Sequence, residues 1–185
     1  LPWQLLKKSR IKHKIVESNS DLTFDMENFE QKLNEGNVKL VSMVHTSNLD
    51  GYTIPAKEII KTAHDFGALV LLDGAQSVPR TEINVKKLDV DFLAFSGHKM
   101  LGPTGTGVLF GKEHLLENLN PFIIGGDTVQ NSTYDSHTLL NIPEKFEAGL
   151  QNYAGVIGLE EAARYLKKIG LKNIEKHELE LNRLM

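Results

Sequence analysis

The chain has 185 residues, of which 41% are hydrophobic, 24% charged and 7% aromatic, with a net charge of −3. That balance is the one expected of a globular domain with its own core, and it argues against disordered and fibrous classes. It offers no basic footprint for nucleic acid, no apolar run of membrane-spanning length, and no cysteine for disulfide or thiolate chemistry.

In chain order, "PWQLLKKSR" (2–10) reads as the tail of a helix, and the alternation in "IKHKIVES" (11–18) predicts a strand. "DMENFEQKLNEG" (25–36) predicts a helix, with Phe29 and Leu33 on one face and Gly36 as its stop. "VKLVSMVHTS" (38–47) predicts a strand. "PAKEIIKTAHDFG" (55–67) carries two helix signals. Pro55 suits a first turn, and Ala56, Ile59, Ile60 and Ala63 follow the i, i+3, i+4, i+7 rule up to Gly67.

"ALVLLDGA" (68–75), "VDFLAFSGH" (90–98) and "TGVLFG" (106–111) predict three further strands. The run from Leu69 to Leu72 is apolar on both faces, the pattern of a strand between two helical layers. Strands separated by helices imply right-handed parallel crossovers. The gap from Phe95 to Thr106 is too short for one, so "TGVLFG" is expected to return antiparallel. Residues 120–150 read as an extended irregular segment, and 152–168 and 171–185 as helices, the latter amphipathic through Ile174, Leu181 and Leu184. The fold class expected is α/β: three layers, with a mainly parallel sheet covered by helices on both faces. "LPWQLLKKSR" has no sustained apolar core before its charges, so no signal peptide is expected, while Leu1 in place of a methionine and a helical pattern running into Met185 lead us to expect a piece of a longer chain.

In an open α/β sheet, ligands bind beyond the carboxyl ends of the strands. Three polar sets fall there: His45, Thr46, Ser47 and Asn48; Asp73 and Gln76; and Ser96, His98 and Lys99. A lysine beside a polarising group can act as a nucleophilic amine toward a carbonyl. A carboxylate at the end of a buried strand needs a partner, and a protonated ring nitrogen is one. Pyridoxal phosphate needs both groups, together with a phosphate cradle, for which Ser96, His98 and the backbone from Gly102 to Gly107 are suited.

Each residue also has a plainer reading. Lys99 could be a solvated surface lysine, Asp73 a turn former before Gly74, His98 a partner for backbone, and His45 a packed structural histidine. His13, His64, His114, His137 and His177 carry no metal-ligand spacing. Gly105 and Gly107 precede a strand and not a helix, and Pro103 stands where a phosphate-binding loop needs lysine.

Taken jointly, "HTSNLDG" (45–51), "LLDGAQSVPR" (71–80), "LDVDFLAFSGHKMLGPTGTGVLFGK" (88–112) and "FEAGLQN" (146–152) resemble the class V aminotransferase family of fold-type I pyridoxal-phosphate enzymes. Within it, the "DGAQ…DFLAFSGHK…GPTGTG" pattern is most similar to the SufS-type cysteine desulfurases, which convert L-cysteine to L-alanine and pass on persulfide sulfur for iron–sulfur cluster assembly.

The resemblance implies roles for particular residues. Lys99 would hold the cofactor aldehyde and act as the base at Cα. Asp73 would pair with the pyridine nitrogen. Gln76 would bond the phenolic oxygen, with Asn48 close to it, and Ser96 and His98 would hold the phosphate. It further implies pyridoxal 5'-phosphate as cofactor, an amino-acid substrate, a homodimer, a sulfur-acceptor protein and a cytoplasmic setting without nucleic acid or membrane. Residues 1–170 would form the cofactor-binding large domain, incomplete at its N-terminal side, and 171–185 a helix leading toward a small C-terminal domain.

Departures from the pattern are equally specific. The family's ring-stacking histidine would precede "PWQ", and its persulfide cysteine and substrate-binding arginine would follow residue 185. The threonine usual after "FEAG" is Leu150 here, which removes an expected contact to the neighbouring subunit's phosphate. The turn at Gly125 would approach that neighbour's site. Alternatives are another class V reaction (aminotransferase, lyase or epimerase) and a non-catalytic scaffold.

Overall fold

The structure, a computed structural model, describes residues 2–9 and 11–184. A short helix α1 (Pro2–Leu5) runs into a 3₁₀ turn (Leu6–Ser9). Arg10 and Met185, the last residues of the two terminal helices read from the sequence, lie outside the described residues.

Helix α2 (Met26–Asn34) starts where Asp25 accepts from Asn28 N at 2.8 Å, and Gly36 closes it with a φ of +83°. Strand β1 (Leu40–Val44) follows, then α3 (Ala56–Asp65), β2 (Leu69–Asp73), the short α4 (Val85–Leu88) and β3 (Phe92–Ser96). A 3₁₀ turn (Gly97–Met100) leads to β4 (Gly107–Gly111) and α5 (Glu113–Asn118). A two-stranded hairpin, β5 (Val129–Ser132) and β6 (His137–Leu139), precedes α6 (Tyr153–Ile169) and α7 (Leu171–Asn182).

The main sheet has the order β1-β2-β3-β4. β1, β2 and β3 are parallel, and β4 returns antiparallel to β3, as the short connection required. One face packs on α2 and α3. Phe29 and Leu33 of α2 meet Ala56, Ile59, Ile60 and Ala63 of α3 over Val70, Leu72 and Leu93. Each fully buried isoleucine contributes about 2 kcal/mol by removing its side chain from water. On the second face, α5 brings Leu116 against Phe92 and Gly111, while Leu40, Val44, Leu69 and Leu109 remain exposed.

Two elements differ from the sequence reading. Residues 11–17 form no strand: the segment's contacts to α2 run through Lys14, which donates to Lys32 O and pairs with Glu35, and Glu17 N, which donates to Asn28 Oδ1, its one β-bridge is Ser18 to Phe24, and Ile11 and Ile15 are exposed. Alternation describes a pleated strand only where a neighbour supplies the ladder. The 120–150 segment, expected to be irregular, contains the β5–β6 hairpin.

A charged cluster fixes the start of β3. Asp91 is 3% exposed. Its Oδ2 accepts from Val70 N at 2.7 Å and meets His64 Nε2 at 2.8 Å, and its Oδ1 meets Lys112 Nζ at 2.8 Å. Lys112 also pairs with Asp89 Oδ1 at 2.7 Å. Burial alone would raise the Asp91 pKa, but the hydrogen bonds from Lys112, His64 and Val70 N outweigh it and hold the carboxyl below its ordinary range. β2, α3 and the β4–α5 junction are thereby tied to one residue at the amino end of β3.

Candidate active site

Register brings the carboxyl ends of the parallel strands level. Val44 pairs with Asp73, and Asp73 with Ala94. Asp73 and Ser96 therefore project from the same face and edge, two residues apart in register. Asn48 follows β1, Gln76 follows β2, and His98 and Lys99 ride on the 3₁₀ turn directly after β3. All six sequence-derived candidates thus lie along one edge of the sheet.

Asp73 is exposed, and its Oδ1 accepts from Ala75 N at 2.9 Å, closing the first part of the turn. Gln76 is half-buried, with Oε1 accepting from Arg80 Nη2 at 3.4 Å. Ser96 caps the 3₁₀ turn through its backbone alone and leaves its hydroxyl unused there. His98 and Lys99 are exposed, whereas Gly97 and Met100 on either side of them are buried. Among the described residues, neither Lys99 nor Asp73 takes part in an ion pair, and Asn48 makes no side-chain hydrogen bond.

The loop carrying Lys99 is held at both ends. Gly97 N donates to Thr106 O at 2.9 Å, and Gly102 N donates to Gly97 O at 2.9 Å. Glycine is required here by space. A Cβ on Gly97 would run into Thr106 Oγ1, and one on Gly102 would lie 2.8 Å from Leu159 Cδ1 of α6. The loop is thus pressed against α6, with His98 and Lys99 left on its outer side.

A primary amine, a carboxylate, two amides, a hydroxyl and an imidazole are the donor and acceptor set that pyridoxal phosphate requires, and they sit at an edge where backbone approaches closely. The residues present fit the group. A shallow depression of about 330 Å³ lies at the opposite edge, lined by Lys57, Lys61, His64, Lys87 and Asp89 among others. None of Asn48, Asp73, Gln76, Ser96, His98 and Lys99 lines it.

Two features escaped the sequence reading. His45 Nδ1 meets Ser77 Oγ at 2.9 Å, and burial pushes the His45 pKa down. His64, which carried no spacing signal, is the partner of buried Asp91. Each pair joins residues about thirty positions apart, so only the strand pairing could have exposed them. Leu150, at the position of the family's threonine, is exposed.

The chain is 40% identical over 177 residues to a cysteine desulfurase of Haloferax volcanii, covering 95% of this chain and 41% of that protein. It is 45% identical over 183 residues to a probable cysteine desulfurase of Halalkalibacterium halodurans, covering 98% and 45%. The solved cysteine desulfurase of Thermococcus onnurineus NA1 superposes with a TM-score of 0.92 at 41% identity, over 98% of this chain and 46% of that one. The chain therefore spans less than half the length of these relatives. The family model for class-V aminotransferases matches residues 1–185, the whole of the chain. It follows that this chain belongs to the aminotransferase class-V family.

Proposed function

We propose that this chain is the cofactor-binding part of a pyridoxal-phosphate-dependent cysteine desulfurase, with residues 1–170 as the large domain and 171–185 leading out of it. The observation that carries the reading is the edge itself: Asp73 and Ser96 end adjacent parallel strands, and Asn48, Gln76, His98 and Lys99 follow their carboxyl ends. The desulfurase relatives, matched over nearly the whole chain, support the choice among reactions of this family.

When bound, pyridoxal phosphate supplies a ring that withdraws electrons from the substrate Cα. Among the described residues, Lys99 carries the amine placed directly after β3, and its Nζ would hold the cofactor aldehyde. The same amine, once released, would take the proton from the substrate Cα. Asp73 would keep a proton on the ring nitrogen, and the amides of Gln76 and Asn48 would donate to the phenolic oxygen. Ser96 and His98 would receive the phosphate. The sulfur of L-cysteine would leave to a cysteine that this chain does not contain, and L-alanine would remain. A second subunit, a sulfur-acceptor protein, a cytoplasmic setting and a role in iron–sulfur cluster assembly belong to the same reading.

The test is an absorbance scan of the full-length protein with added pyridoxal phosphate, followed by cysteine-dependent alanine production. Wild type is expected to show a visible band and turnover, and Lys99→Ala neither. A Lys99→Ala variant with an unchanged band and unchanged alanine production would transfer the role to another lysine and overturn the assignment.

A further inference from the structure

Behind the edge lies a hydrogen-bonded pair that the chemistry above does not use. Val44 and Asp73 share the open face of the sheet. His45, next in sequence, turns the other way, toward the turn that follows β2, where its Nδ1 meets Ser77 Oγ at 2.9 Å. Ser77 is 1% exposed, and its hydroxyl also reaches Gly74 O at 3.4 Å.

The main chain adds two ties. His45 N donates to Asp73 O at 2.9 Å, and His45 O accepts from Ile54 N at 3.0 Å. His45 is thus joined to both ends of the segment from Asp73 to Ser77, which contains Gln76. That segment has little slack: a Cβ on Gly74 would lie 2.8 Å from Leu93 Cδ1 and 2.9 Å from Val78 Cγ2. A buried hydroxyl and a partly buried imidazole at this place satisfy each other, and each would lose a partner if the other were removed.

We propose that His45 and Ser77 are positioning residues, whose hydrogen bond sets the Asp73–Gln76 turn in the form that receives the cofactor. The inference rests on the pyridoxal-phosphate reading above. Neither residue touches a reacting atom. With the clasp present, Gln76 and Asp73 are ordered before the cofactor arrives; without it, binding must order them, and affinity falls. A shifted Asp73 also changes the electrostatic surroundings of the bound ring.

Pyridoxal-phosphate titration of the full-length protein reads the affinity, the pH midpoint of the bound cofactor's visible band reads its surroundings, and thermal unfolding is followed in parallel. Ser77→Ala removes the hydroxyl with little change of volume. It is expected to weaken cofactor binding by about three- to tenfold, the range of one hydrogen bond, and to move the pH midpoint. His45→Asn keeps a polar atom near the position of Nδ1 and is expected to retain affinity and midpoint, whereas His45→Leu loses both. Where Ser77→Ala does not fold, the contrast between the two His45 variants decides. Wild-type affinity and midpoint in Ser77→Ala and His45→Leu, even with a lowered melting temperature, would show a purely structural pair and overturn the proposal. A wild-type protein that binds no pyridoxal phosphate would instead sink the cofactor reading itself, and the clasp's role with it.

Discussion

The two carboxylate oxygens of Asp73 have different surroundings. Oδ1 accepts from Ala75 N, while Oδ2 has no partner among the described residues. The turn-forming and cofactor-binding readings of this residue are therefore compatible, one oxygen serving each. Asp73→Asn keeps an oxygen for Ala75 N and removes the charge. In the full-length protein, alanine production is expected to fall a hundredfold or more, about 3 kcal/mol of barrier, with little change in melting temperature. Asp73→Ala removes both roles and is expected to cost about 1 kcal/mol of stability as well, by analogy with lost caps. Normal turnover in Asp73→Asn would leave the residue a turn former only. At this scale, legibility depends on neighbourhood in sequence. Lys99, Ser96 and His98 are read together because they are adjacent, and Asp73 because it ends an apolar run before Gly74. The His45–Ser77 and His64–Asp91 pairs have no such signature, since pairing between strands and helices creates them.

Strand β3 owes its placement to Asp91 at its amino end as much as to its own apolar side chains. The carboxyl's folded-state pKa is depressed below its ordinary value of 3.8. A depressed carboxylate stabilises the fold above its unfolded pKa, and that contribution disappears as pH falls through the folded value. Unfolding midpoints in urea are therefore expected to decline below about pH 4, and Asp91→Asn is expected to flatten that acid limb. At neutral pH, Asp91→Ala is expected to cost about 3 kcal/mol, because Val70 N loses its acceptor and Lys112 keeps only Asp89. An acid limb unchanged by Asp91→Asn would mean that other carboxylates dominate. Among the elements, α2, α3 and the four strands of the main sheet were legible because each buries one periodic face on a common core. Segment 11–18 has a strand's alternation but no partner strand, and α5 is too short to show a helical repeat.

For the molecule as a whole, the exposed apolar side chains are the main surface feature. Leu40, Val44, Leu69 and Leu109 share one sheet face, and Phe122, Ile123 and Ile124 form an exposed tip. Patches of this kind favour association. The 185-residue chain on its own is expected to bind an apolar dye and to self-associate in sedimentation velocity, and Val44→Lys combined with Leu69→Lys to reduce both. A monodisperse monomer with no dye signal would contradict this. Composition alone could not reveal the open face, because a strand that is apolar on both sides reads the same whether or not its second side is covered. The strand order β1-β2-β3-β4 has a further consequence, for synthesis on the ribosome. Spatial order equals chain order, so each strand can add to a neighbour that has already emerged, without waiting for a distant segment. The six residues of the proposed site, Asn48 to Lys99, would be in place once the third strand has docked, and the antiparallel return of β4 would then latch the lysine loop shut. A stalled nascent chain from which residue 111 has emerged should already protect that loop's backbone from protease, and one from which only residues up to 105 have emerged should not.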